Sequence, residues 1–146
     1  MMRSEIWALM TAACWAVGSL LEKRGMKIGG LSPVMGTALR TAVSLLLLSV
    51  LSYPFWDQLR TAGPKSLSLI AVGGGVLSGC LGIIFLYTGL KNGNLSTVMT
   101  LAFCFAPELG AVLGYFFLSE RLSPVQVTGI ALCVVGAAMT VYFRGS

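Results

Sequence analysis

Histidine is absent from this chain, and acidic residues number only five in 146. Without histidine the commonest metal ligand and the commonest general base are both missing. No metal constellation occurs, and no serine or cysteine stands beside a base, so neither catalysis nor a metal or other cofactor is expected. A phosphate-cradling glycine loop of the ATP-binding kind is also missing, which excludes primary pumping by this chain alone. Charge of either sign is scarce, 10% of residues against roughly a quarter in soluble domains. The basic residues sit mostly at segment ends and form no stripe, so nucleic acid is not an expected partner. Four cysteines occur, Cys14, Cys80, Cys104 and Cys133, one in each of four apolar segments and none in a CxxC. That pattern reads as small buried hydrophobes.

What fills the chain is apolar: 56% of residues are hydrophobic, in runs of about 20, each long enough for a ~30 Å hydrocarbon core. The fold class expected is an all-α integral membrane protein with five transmembrane helices, about 4–21, 33–53, 67–87, 94–118 and 125–143, in one domain over 1–146. The first run ends in Glu22-Lys23-Arg24 and not in a small-residue cleavage site, so no cleavable signal is expected.

The stretch 94–122, NLSTVMTLAFCFAPELGAVLGYFFLSERL, organises the rest. It is apolar and long enough to span, yet carries Pro107 and Glu108 near its middle. A carboxylate at that depth costs roughly 2.5–3.5 kcal/mol and seldom faces lipid. The proline removes a backbone donor one turn beyond Phe103. Thr97, Thr100, Cys104, Glu108, Ala111 and Tyr115 recur at spacings of three and four, a polar stripe down one helical face. The stripe predicts a cavity or interface lining.

Other segments carry weaker signals. Trp7, Thr11, Trp15, Gly18 and Glu22 share a face, either a packing stripe with interfacial tryptophan or a cavity wall with an indole floor. A loop is expected over 22–32, with Pro33 opening the next helix. Arg40 lies about 10 Å along that helix, beside Thr37, Thr41 and Ser44, and is expected buried and paired. The connection 54–66 is the longest polar one, with Trp56 at the headgroups. Gly75 with Gly79, and Gly110 with Gly114, form GxxxG faces suited to close helix approach. Gln126, Gly129, Cys133, Gly136 and Thr140 share a further packing face.

Five crossings place the termini on opposite sides. Arg3, Arg60, Lys65 and Arg121 then face Lys23, Arg24, Lys27, Lys91 and Arg144, four against five. Orientation follows this bias, and here it nearly vanishes. Two copies inserted in opposite senses would form a ten-helix antiparallel homodimer with an inverted repeat. The alternative is one orientation, set by the dense cluster over 22–28 or by lipid. In a ~30 Å core the inverted copy's Arg40 would lie level with Glu108, which predicts an intersubunit Arg40–Glu108 pair.

The segment 118–143, LSERLSPVQVTGIALCVVGAAMTVYF, resembles the closing hairpin of EamA-type repeats of the drug/metabolite transporter superfamily. Ser119, Glu120, Arg121, Leu122, Gln126, Gly129 and Gly136 carry the likeness. Arg40 in TALRTAVSLLLL matches the arginine usual in the second helix, and Pro107 a common proline of the fourth. The resemblance covers nearly the whole chain and implies the single-repeat form, working as a dimer of repeats. It implies a structural role for Glu120. The more distant small multidrug resistance proteins carry an essential acid where this chain has Trp15, so their proton-coupled scheme does not carry over unless Glu108 acts instead.

The expected function is secondary transport of a small polar or amphipathic metabolite by alternating access, with proton coupling one option. Glu108 would bind the proton or a cationic group, and Arg40 would hold Glu108 or an anionic substrate. Trp15, Tyr115, Thr97 and Cys104 would line the path. The alternatives are an accessory subunit of a heterodimeric transporter and a lipid-carrier flippase. The setting expected is the cytoplasmic (inner) membrane of a bacterium or archaeon, with the lipid bilayer and a small-molecule substrate as partners.

Overall fold

A computed structural model describes residues 4–143. Arg3 and Arg144, both counted in the charge balance, lie outside the described residues. Every regular element among the described residues is helical. Four stretches are long and apolar enough to cross a membrane: Pro33–Phe55, Pro64–Asn92, Leu95–Leu118 and Pro124–Tyr142.

Apolar side chains are scarcely used for an internal core. Only Met26, Ile83, Tyr87, Leu90 and Ala137 are buried hydrophobics among the described residues. Leu45, Leu46, Leu47 and Leu48 in succession stay more than half exposed. A helix apolar all round needs an apolar solvent, and lipid supplies it. Threonine and serine hydroxyls satisfy themselves within their own helices: Thr11 donates to the Trp7 carbonyl at 2.9 Å and Thr37 to the Pro33 carbonyl at 2.9 Å. Such back-bonding removes an unpaired donor from hydrocarbon.

The chain divides into two compact units, residues 1–92 and 93–146. In the first, α1 (Ser4–Gly29) does not stop at Leu21. The expected loop over 22–32 is helical up to Gly29, because Glu22, Lys23, Arg24 and Lys27 are all good helix formers. The true turn is Gly30 to Ser32, and Ser32 then caps α2 (Pro33–Ser52) by accepting from the Met35 N–H. The polar connection is also more ordered than expected. A 3-10 turn over Tyr53–Phe55 and the short α3 (Asp57–Thr61) occupy most of it. Trp56 donates its indole N–H to the Ser52 hydroxyl at 3.1 Å.

The next span begins with α4 (Pro64–Ile70), passes through a π-helical stretch, Ala71–Gly82, and ends in α5 (Ile83–Asn92). Five of the twelve π-helical residues are glycine. A Cβ at Gly79 would stand 2.6 Å from the Gly74 carbonyl oxygen of the preceding turn. The Gly75–Gly79 pair therefore serves a widened helix, and the close helix approach of this unit lies elsewhere. A Cβ at Gly36 would come within 3.0 Å of the Tyr87 ring, where α2 crosses α5. Met26 of α1 closes the same junction from the other side.

The second unit is a helical hairpin of α6 (Leu95–Leu118) and α7 (Pro124–Tyr142). Helix α6 runs through Pro107 and ends at Ser119, whose φ of 56° lies in the left-handed region. The Glu120 N–H donates to the Gly114 carbonyl at 3.1 Å. Its carboxylate folds over Gly114, where a Cβ would meet Oε2 at 2.7 Å. Helix α7 opens with a capping box: Ser123 N–H donates to Gln126 Oε1 at 2.8 Å, and Gln126 N–H to Ser123 Oγ at 3.3 Å. Gln126 is thus a cap and not part of a packing face. The covered face of α7 is Ile130, Cys133, Val134 and Ala137. Gly129 and Gly136, expected on it, leave open space where a Cβ would stand.

Candidate functional site

In the first unit the candidate residues converge where α1, α2 and α5 meet. Glu22 is seven residues before the end of α1, and Arg40 seven after the start of α2, so both lie about 10 Å from the same turn. Arg40 Nε stands 3.3 Å from Glu22 Oε1, with both side chains a quarter to a third exposed. The guanidinium lies over Trp15, 5.8 Å from the ring centroid. Tyr87, only 2% exposed, lies beside Glu22, and the two line the same hollow. A cation, an anion and an indole thus meet inside apolar helices, with a phenol beside them.

Three hollows border Arg40. One of about 190 Å³ is lined by Trp15, Ser19, Glu22 and Ile83. A second, of about 560 Å³, runs between Thr37, Thr41 and Ser44 of α2 and Gly75 and Gly79 of the π-helical stretch. A third, of about 330 Å³, lies against Glu22, Gly36 and Tyr87. Arg40 is common to all three. The face of α2 read from Thr37, Arg40, Thr41 and Ser44 is therefore a groove wall.

In the second unit Glu108 and Tyr115 line a hollow of about 660 Å³ with Val112, Phe116, Arg121 and Val127. The stripe of α6 lies on its covered side: Thr97 is 5% exposed, Thr100 is half-buried, and Cys104, Glu108 and Ala111 are half-buried between exposed neighbours. Tyr115, 62% exposed, is the stripe's open end. Thr97 stands three helical turns from Glu108 and outside this hollow.

The cysteines depart from the expectation of four small buried hydrophobes. Cys104 and Cys133 are disulfide-bonded, with Cα atoms 5.4 Å apart. The α6 and α7 faces that carry them meet, which brings the sulfurs within bonding reach. Cys104 is thus committed to Cys133 and does not offer a ligand sulfur. Cys14 and Cys80 are free and exposed.

Two clusters emerge from the six candidates: Trp15 with Arg40, and Glu108 with Tyr115. The depth argument pairs Arg40 with Glu108 of an inverted copy, but Glu22 of the same chain supplies its counter-charge. Sequence reasoning missed Glu22 and Tyr87 as site residues. Glu22 was already visible on the Trp7–Glu22 stripe, and only its assignment to a loop hid it. Tyr87 gave no signal, since one tyrosine near a helix end reads as an interfacial anchor.

The comparisons agree with this architecture. A WAT1-related chloroplast protein of Arabidopsis thaliana is 26% identical over 150 residues, covering 97% of this chain. This chain spans about a third of that relative's length, 34%. No solved structure matches. The model of the EamA-like transporter family matches residues 2–142, from the first helix through α7. The chain belongs to the EamA-like transporter family, a group of membrane transporters within the drug/metabolite superfamily.

Proposed function

We propose that the chain is a secondary transporter of a small polar or amphipathic metabolite, and that it works by alternating access between two oppositely inserted copies. The observation that carries this reading is the Glu22–Arg40 pair, roofed by Trp15, flanked by Tyr87 and bordered by three hollows. A charge pair costs several kcal/mol to hold in hydrocarbon. It serves no purpose in a passive anchor, but it gives a passing polar solute groups to exchange with.

Arg40 takes an anionic group of the substrate, and Trp15 lines its path. Glu108, in the hollow of the second unit, takes a proton or a cationic group, with Tyr115 beside it. Pro107, one residue earlier, removes a backbone donor from α6 and would serve as a hinge. Four apolar stretches are long enough to cross; with α1 counted as a fifth crossing, the near-even charge balance supports the inverted pair, which would sit in a cytoplasmic membrane.

Uptake into proteoliposomes tests this, using a panel of radiolabelled zwitterionic, anionic and cationic metabolites under an imposed pH gradient. At least one compound should accumulate above empty vesicles. Glu108→Gln should lower that accumulation at least about tenfold, or ~1.4 kcal/mol in transition-state terms, with expression and assembly intact. Full activity in Glu108→Gln would remove Glu108 from the mechanism.

A further inference from the structure

The Cys104–Cys133 bond has no part in the transport reading, and its position points to a chemistry of its own. Cys104 is nine residues into α6 and Cys133 nine into α7, so each lies about 14 Å along its helix. In a ~30 Å core that is mid-depth. The two Cα atoms are 5.4 Å apart, inside the range a disulfide spans without backbone movement. Both residues are half-buried on the facing sides of the hairpin. Charged aqueous thiol reagents do not partition to that depth.

We infer that Cys104 and Cys133 form a redox site served from the lipid phase, oxidised by a hydrocarbon-soluble two-electron acceptor of the quinone class. Two S–H bonds break and one S–S bond forms. Two electrons and two protons pass to the quinone oxygens, leaving a hydroquinone. The bond then ties α6 to α7 one helical turn from Glu108, and its reduction frees the hairpin to open. This inference stands on the bonded pair and is independent of the proposed substrate.

The test uses the full chain with Cys14→Ser and Cys80→Ser, so that only the pair is scored, in phosphatidylcholine vesicles. The protein is reduced with dithiothreitol, desalted under nitrogen and divided among decylubiquinone under nitrogen, air alone, and oxidised glutathione under nitrogen. Free thiols are counted by maleimide mass shift. Decylubiquinone should restore the bond and yield decylubiquinol in equal amount, while oxidised glutathione should act at least about tenfold more slowly. Two thiols persisting with the quinone under nitrogen, whatever air does, would overturn the inference. So would an equal rate with oxidised glutathione. Should the double serine variant fail to express, the Cys104–Cys133 linked peptide from wild-type protein gives the same readout.

Discussion

At the scale of single residues, the decisive interaction is Arg40 with Glu22. Removing one partner leaves a charge in a low-dielectric setting, so the loss exceeds what the pair itself contributes. Glu22→Gln should destabilise the folded protein in detergent by about 2–3 kcal/mol, since the pair is partly and not fully buried. Glu22→Arg combined with Arg40→Glu should recover most of that in a thermal melt. If the exchange recovers nothing, the 3.3 Å contact is not what holds α1 to α2. A second residue-scale test lies at Ser119, with φ of 56°. A non-glycine residue there costs about 1–2 kcal/mol, so Ser119→Gly should raise the melting temperature, and a fall would contradict the strained turn. Arg40 was legible from sequence because a guanidinium two turns inside an apolar helix demands a partner. Its partner was not, because Glu22-Lys23-Arg24 looks like the end of a membrane segment, and only tertiary contact shows that the helix continues.

Among the helices of the first unit, a glycine marks one close crossing. Gly36 of α2 lies against the Tyr87 ring of α5, where an added methyl group would stand 3.0 Å from the ring, so that Tyr87 must give way by a few tenths of an ångström. Gly36→Ala should therefore push Tyr87 away from Glu22 and cost about 1–3 kcal/mol, seen as a lower melting temperature and weaker transport together. The glycine motifs singled out in sequence did not mark this contact. Gly75 and Gly79 fall within the π-helical stretch, and Gly129 and Gly136 face open space. The GxxxG spacing records that backbones can approach; it does not say which neighbour arrives. The stripe of α6 read more faithfully, because a carboxylate within an apolar helix admits few orientations. The capping box at Ser123 and Gln126 could also be found in sequence, as a serine followed three residues later by glutamine.

For the whole molecule, composition alone identified a membrane protein, since a chain with 10% charged residues cannot solvate a folded surface in water. The family followed from the order of motifs along nearly the full chain. The proposed inverted pair rests on charge arithmetic, four basic residues against five on a five-crossing reading, and on the paired repeats that the resemblance implies. The structure sharpens the choice of probes. Gly30 has φ of 61°, so a cysteine there would strain the turn, whereas Ile28 is 88% exposed near the end of α1. Gly63 has an ordinary φ of −62° and open space around it. The most direct measurement is therefore outside labelling of Ile28→Cys and, separately, Gly63→Cys in a cysteine-free background, with a membrane-impermeant maleimide on intact cells. Oppositely inserted copies predict that each position is labelled in part of the population. Complete labelling at one position with none at the other would contradict the inverted pair.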